Sequence, residues 1–113
     1  MVKIPSITYT KRDVTQRVAD KLDVPVSQMK APVDTVFEVL REIMSEDHPK
    51  LRVEIRNFGV FEVKPTKAKP RARNPRTNEE VYVPPRRKSH FKPGRLLRNV
   101  LRQPFDLSRI TGD

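Results

Sequence analysis

The 113-residue sequence contains no cysteine, so it can form neither a disulfide framework nor a thiolate metal site. It has no tryptophan and only 35% hydrophobic residues, which gives one chain a thin core and favours oligomerisation. No stretch approaches the roughly 20 apolar residues of a membrane span, and the N-terminus lacks the apolar region of a signal peptide. We therefore expect a soluble, unexported protein with about one domain.

The residues on which catalysis usually depends are also scarce. His48 and His90 are the only histidines, and no third nitrogen or thiolate ligand is present to complete a zinc site. The acidic neighbours Glu79 and Glu80 would point to opposite faces of a strand, which is wrong for an acid/base pair. Three scattered glycines form no phosphate-binding loop. The sequence predicts a protein that is not an enzyme and needs no metal or cofactor.

Positive charge, by contrast, is abundant and concentrated in one segment. Lys and Arg number 24 against 14 Asp and Glu, giving a formal charge of +10 and a pI near 10.4. Residues 64–98 carry twelve of the Lys and Arg but only two Glu, so the rest of the chain is neutral overall. A domain this basic favours polyanionic partners, nucleic acid first and an anionic membrane surface second.

The N-terminal half has the pattern of two helices. Thr10 is a predicted N-cap with Asp13 in the first turn. The spacing of Val14, Val18 and Leu22 predicts a short amphipathic helix that ends near residue 23.

Apolar residues from Val33 to Met44 recur with helical spacing and predict a second, longer helix. Its start has two interpretations. Ser27 is a plausible cap, but Pro32 lacks the N–H that a helix interior needs. Either the helix begins near Pro32, or it begins earlier with a bent first turn.

The C-terminal half has the pattern of strands. Residues 51–55 alternate apolar and charged side chains, Asn57-Phe58-Gly59 forms a tight turn, and residues 60–63 continue as a second strand. Residues 64–88 predict a β-arm, a hairpin with its tip near Pro75; a flexible Pro- and Lys-rich loop is the alternative. Residues 95–101 form a last short helix, with Leu97 and Leu101 on one face, before Pro104.

The arm has the chemistry of a DNA-binding element. An exposed Pro75 can enter between base pairs from the minor groove and kink the duplex, although proline is also an ordinary turn former. Arg71, Arg73 and Arg76 would lie in the narrow groove, and the other arm cations would follow phosphates. The start of the last helix, from Lys92 to Arg95, is either a phosphate site or a plain helix start.

Three motifs resemble the HU / integration host factor family of bacterial nucleoid proteins. They are Asn57-Phe58-Gly59-Val60-Phe61, then Arg73-Asn74-Pro75-Arg76-Thr77, then Phe91-Lys92-Pro93-Gly94-Arg95, in that order and spacing. The resemblance covers about residues 10–102. Ala72 and Asn78 depart from it, because the family usually places glycine at both positions.

The resemblance implies an α+β fold with two N-terminal helices, a three-stranded antiparallel sheet with a long β-arm, and a short C-terminal helix. It also implies an intertwined dimer whose arms wrap DNA in the nucleoid. The expected dimer core is Phe37, Leu40, Phe58, Phe61 and Phe91. The expected DNA-binding residues are Arg56, Gly59, Lys64, Lys67, Lys69, Arg71, Arg73, Asn74, Pro75, Arg76, Thr77, Arg86, Arg87, Lys88, Lys92, Gly94 and Arg95.

We expect an N-terminal extension over residues 1–9, the DNA-binding domain over 10–102 and a C-terminal tail over 103–113. The leading hypothesis is a cytoplasmic architectural protein, a homodimer or a heterodimer, that bends and compacts double-stranded DNA with little sequence specificity. A sequence-preferring bender like integration host factor is the alternative. An RNA-binding role is disfavoured, because the basic segment offers only Tyr82 and Phe91 for base stacking.

Overall fold

The computed structural model describes residues 4–105, and the side chains of residues 69 and 70 are left out of that description. Lys3 in the N-terminal extension and residues 106–113 of the predicted tail lie outside the described residues. The chain forms two compact units, a helical unit that ends at Ser45 and a sheet unit over Glu46–Gln103. Residues 4–9 form no helix or strand and are exposed.

Helix α1 spans Lys11–Leu22, and its start confirms the predicted cap. The Thr10 backbone N–H donates to Asp13 Oδ2 over 2.8 Å, and the Thr10 hydroxyl donates to the same oxygen over 3.0 Å. These two hydrogen bonds, the backbone one first, lower the pKa of Asp13 below its ordinary value of 3.8. At the other end Asp23 adopts a left-handed conformation with φ 55°, which ends the helix where the sequence predicts.

Helix α2 spans Val26–Met44, with Pro25 as its N-cap residue. The prediction of Ser27 as the cap is therefore wrong, and so is a start near Pro32. Pro32 lies inside the helix, where it leaves the carbonyl of Gln28 without its usual N–H donor. The helix forms despite this loss because its nineteen residues supply many other backbone hydrogen bonds and an apolar face.

In α1 the buried residues are small side chains rather than the predicted Val14, Val18 and Leu22 stripe, whereas Val33 of the predicted α2 stripe is buried. Thr15 and Ala19 of α1 are buried, together with Val33 of α2, because small residues let two helices approach closely. Val14 and Leu22 are exposed in the single chain.

The sheet unit contains a three-stranded antiparallel sheet in the order β1-β2-β5, with β1 at Leu51–Ile55, β2 at Gly59–Pro65 and β5 at Arg87–Pro93. Asn57, at φ 66°, makes the tight turn between β1 and β2 as predicted. The predicted arm is a separate two-stranded sheet, β3 at Lys69–Arg73 and β4 at Glu80–Val83. Helix α3 spans Arg95–Leu101 and ends before Pro104, with Leu97 half-buried and Leu101 exposed.

One face of the three-stranded sheet is apolar. Val53, Phe61 and Phe91 are register partners across the three strands, so their side chains share this face. The Phe61 and Phe91 rings lie 4.8 Å apart between centroids, and Phe58 lies 5.2 Å from Phe91. Three of the four phenylalanines predicted for the dimer core therefore form one cluster within a single chain.

Candidate nucleic-acid interface

The opposite face of the sheet is polar and mainly basic. The alternation of side chains along each strand places one set of register partners here, and we call this set the polar face. It comprises Arg52, Glu54, Val60, Glu62, Lys64, Lys88, His90 and Lys92, of which only Val60 is apolar. Of the predicted DNA-binding residues, the fold thus brings Lys64, Lys88 and Lys92 together on one surface.

Glu62 lies at the centre of the polar face, and its side chain is only 8% exposed. Lys64 Nζ lies 3.0 Å from one of its carboxylate oxygens and Lys92 Nζ lies 3.3 Å from the other. Arg52 is a more distant partner at 3.9 Å. The Lys64 ammonium is the main cause of a lowered pKa of Glu62; burial opposes it, and Lys92 adds to it. Glu62 is therefore a built-in counter-ion for the cations of this face.

Sequence reasoning missed both Glu62 and Arg52. Each continues the alternation of its own strand, on the side away from the apolar residues. The alternation of apolar and charged residues in the sequence could have placed both side chains on the polar face. The ion pairs could not be found without the register between β1, β2 and β5.

A short set of hydrogen bonds joins the sheet to the arm. The Thr66 backbone N–H donates to the Arg86 carbonyl over 2.6 Å, and the Arg86 N–H donates to Thr66 Oγ1 over 2.8 Å. The Thr66 hydroxyl also donates to the same Arg86 carbonyl. The paired strands β2 and β5 end just before this point, at Pro65 and Arg87. Lys64 and Lys88 therefore belong to the sheet rather than to the arm.

Beyond Thr66, strands β3 and β4 carry the arm outward to a turn over residues 74–79, which we call the tip. The register shifts by one residue between Lys69 and Ala72, and Ala72 then pairs with Val81. This bulge lies where Pro70 has no N–H to donate.

The tip is closed by backbone hydrogen bonds. The Asn74 N–H donates to the Glu79 carbonyl over 2.9 Å, and the Asn78 N–H donates to the Asn74 carbonyl over 2.7 Å. The Asn74 side chain accepts from the Arg76 N–H over 2.9 Å, a local turn that spans Pro75. Asn78 supplies the left-handed backbone, with φ 59°, at a position where glycine was expected. Pro75 is therefore presented, exposed, at the end of an ordered hairpin.

The cationic side chains near Pro75 differ in how many protein contacts restrain them. Arg73 donates from Nη1 to Asn78 Oδ1 over 3.2 Å and lies 3.9 Å from Glu80, yet its side chain is 61% exposed. Arg71 on β3 is exposed, as are Arg76 and Thr77 within the tip. The tip thus combines an apolar ring with accessible guanidinium groups, which fits a narrow negative groove.

Another group of predicted residues lies at the start of α3 and at the β1–β2 turn. Gly94 donates its backbone N–H to the Phe58 carbonyl over 2.8 Å, which ties the helix start to the β1–β2 turn. Gly59 is buried: an added Cβ there would lie 2.5 Å from the Lys92 carbonyl oxygen. Gly59 therefore acts in close strand packing, and its contact with DNA stays a prediction. Arg56 and Arg95 are exposed.

Four further predicted cations lie along the arm and at its base. Lys67 and Arg86 are exposed, and Lys69 begins β3. Arg87 donates to the backbone carbonyls of Glu46 and His48, so the 46–48 loop holds its guanidinium. The Arg87 guanidinium is therefore positioned by the protein, whereas the Lys67 and Arg86 side chains are exposed to solvent.

Residues 4–105 contain no helix long and apolar enough to cross a membrane. Within that range no group of three His, Cys, Asp or Glu is placed to hold a metal ion.

Comparison with known proteins gives consistent matches along most of the chain. A family model described as bacterial DNA-binding protein matches residues 9–102. Integration host factor subunit alpha of Actinobacillus succinogenes is 34% identical over 92 residues, 81% of this chain and 90% of the relative. DNA-binding protein HU of Thermotoga maritima is 31% identical over 93 residues, 82% of this chain and 99% of the relative. Among solved structures, an Anabaena HU–DNA cocrystal structure matches with a TM-score of 0.69 and 31% identity, covering 85% of this chain and all of that one.

Proposed function

Because the chain belongs to the bacterial DNA-binding protein family that includes HU and integration host factor, we propose that it is an architectural protein that bends double-stranded DNA. Membership confirms the expectation of a non-enzymatic DNA-binding protein. The proposed mechanism is that two arms enter the minor groove and that Pro75 of each arm unstacks one base step.

The ordered tip is the observation that carries this proposal. Hydrogen bonds from Asn74 and Asn78 close the turn, so the exposed Pro75 ring is held in place before DNA arrives. A rigid apolar wedge loses little conformational freedom on insertion, which favours unstacking over simple surface contact. Arg73 and Arg76 would stabilise the opened groove through its negative potential.

In this proposal the polar face contacts the phosphates in the middle of the bent duplex. Lys64 on β2 is the register partner of Lys88 on β5, and Lys92 lies on the same face of β5, so all three cations can contact phosphates from one side of the sheet. Such contacts give affinity and strong salt dependence but no sequence information. We expect the affinity for duplex DNA to fall steeply between low and high salt.

We further propose that the working form is a homodimer. Among the described residues the buried apolar side chains are few, Ala19, Val33 and Val63, and no large side chain is fully buried. Phe37 is 43% exposed and Phe58 is 44% exposed, so a second copy would cover apolar surface that one chain leaves open. The predicted dimer core of Phe37, Leu40, Phe58, Phe61 and Phe91 is part of this proposal.

Bend-angle measurement on short duplexes tests the proposal directly. Pro75→Ala should bind but kink DNA less, because alanine has no ring to insert between base pairs. Pro84→Ala is the matched control, since Pro84 is also an exposed proline but lies at the base of the arm, away from the tip. A wild-type protein that leaves duplexes straight, or a Pro75→Ala variant that bends them fully, contradicts the proposed mechanism.

A sequence-preferring role like that of integration host factor is the second candidate. The identity to integration host factor subunit alpha is 34%, against 31% to HU of Thermotoga maritima. The Arg73-Asn74-Pro75-Arg76-Thr77 tip and the Lys92-Pro93-Gly94 motif resemble the integration host factor branch more than plain HU. Preference would come from DNA deformability rather than from base contacts. Competition between random duplex and a selected site separates the two, and equal affinity for every duplex removes this candidate.

The domain limits and location follow from the same proposal. Residues 10–102 would form the DNA-binding domain, with residues 1–9 and 103–113 as appendages. The protein would act on the bacterial nucleoid, in the cytoplasm.

A further inference from the structure

Asn78 has two separable properties at the tip of the arm. The first is its backbone, which at φ 59° lies in the left-handed region that few residues other than glycine tolerate. This conformation directs the Asn78 N–H to the Asn74 carbonyl, 2.7 Å away, and closes the turn. Glycine would supply the same backbone at less steric cost.

The second property is the Asn78 side chain, which glycine would not provide. Its Oδ1 accepts a hydrogen bond from Arg73 Nη1 over 3.2 Å. Arg73 Nη2 lies 3.9 Å from Glu80, the register partner of Arg73 on the opposite strand. The guanidinium is thus restrained on two sides, while its 61% exposure leaves other N–H donors accessible.

We propose that Asn78 is a positioning residue for Arg73, holding the guanidinium against the tip so that it enters the minor groove already ordered. The proposal rests on the proposed function, because it assigns Arg73 to the groove that Pro75 opens.

The physical reason is the conformational freedom of arginine. A free Arg73 side chain would lose many rotamers on entering the groove, and that loss weakens binding. The Asn78 hydrogen bond restricts the side chain before DNA binds, and the donors that remain accessible are still available to bases or sugars. A chain with glycine at position 78 would lack this restriction at the same backbone geometry.

A double-mutant cycle tests this coupling. Asn78→Gly keeps the left-handed backbone and removes the acceptor, so we expect duplex affinity to fall about two- to fivefold, the loss of one exposed hydrogen bond. In an Arg73→Ala background the same substitution should leave affinity unchanged, because its target is gone. Asn57→Gly, the same change in the same backbone conformation at the β1–β2 turn, is the control and should bind normally. An equal loss in both backgrounds, or no loss in either, overturns the proposal.

A second measurement, made without DNA, tests the positioning role of Asn78 separately from the proposed bending of DNA. NMR relaxation of the Arg73 Nε–H in the free protein should show greater mobility in Asn78→Gly and native-like mobility in Asn78→Asp, which keeps an acceptor oxygen. Unchanged Arg73 mobility in Asn78→Gly refutes the positioning role even if the protein bends DNA. Failure of the wild type to bend DNA refutes the proposed function and leaves the mobility result standing.

Discussion

Gly59→Ala adds one methyl group at the most closely packed glycine of the sheet. The new Cβ would lie 2.5 Å from the Lys92 carbonyl oxygen and 2.7 Å from two ring carbons of Phe91. Neither neighbour moves easily, because the carbonyl belongs to the backbone of β5 and the ring is packed in the phenylalanine cluster. The strands must therefore separate locally, or the ring must leave its position.

The magnitude follows from the cost of overpacking, about 1–3 kcal/mol in a well-packed interior. For a domain of this size each kcal/mol lowers Tm by about 4–8 °C, so a mid-range cost of about 2 kcal/mol lowers it by about 8–16 °C. Thermal unfolding followed by circular dichroism is the assay. All variants need the same protein concentration, because the Tm of an associating protein depends on it.

Gly94→Ala is the matched comparison. Its Cβ would lie 3.1 Å from the Phe58 carbonyl oxygen and 3.3 Å from the Phe58 carbonyl carbon, a tight contact that a small shift relieves. We expect a smaller fall in Tm than for Gly59→Ala. A Gly59→Ala variant that melts with the wild type, or one that is more stable than Gly94→Ala, would refute the packing argument.

Two further predictions concern the acidic residues. Glu62→Gln removes the counter-ion of two lysines on the polar face, so the affinity for duplex DNA should rise. The slope of log K against log salt should steepen by up to about 0.9 per freed lysine. Glu54→Gln, at an exposed position, is the control, and weaker DNA binding by Glu62→Gln would contradict the role of Glu62 as a counter-ion. Asp13→Asn should destabilise α1 at neutral pH, because the pKa of Asp13 is lowered in the folded protein and its charged form contributes stability above pH 3.8. The Tm difference from wild type should close as pH falls through that lowered pKa, and a difference independent of pH would exclude the carboxylate of Asp13 as its source.

Features governed by a few neighbouring residues could be predicted from the sequence. The Thr10 cap depends on Asp13 three residues away, and the turn at Asn57 depends on a residue that tolerates positive φ. The ordered hairpin at Pro75 follows in the same way, since its closure uses residues 74–79 alone. In each case the contacts that determine the structure join residues that are close together in the sequence.

Features that depend on packing or register could not be predicted. Ser27 has good capping chemistry, yet α2 begins one residue earlier at Val26 with Pro25 as its N-cap residue, so side-chain capping does not decide where this helix starts. In α1, Thr15 and Ala19 are buried rather than the predicted Val14 and Leu22, since small side chains at a contact let two helices approach closely. The ion pairs of Glu62 join β2 to its neighbours and appear only once the register of three strands is known.

The arm also bears on self-association between copies of the chain. As a two-stranded ribbon it leaves one edge of each strand unpaired, and such edges are templates for strand addition and aggregation. Proline stands at positions 65, 70, 84 and 85, so the backbone lacks a donor at four points along or beside the arm. Arg71 and Arg73 on β3 add repulsion between one arm and the next. The prolines and arginines through which we propose the arm acts on DNA therefore also protect its open edges from amyloid-like pairing.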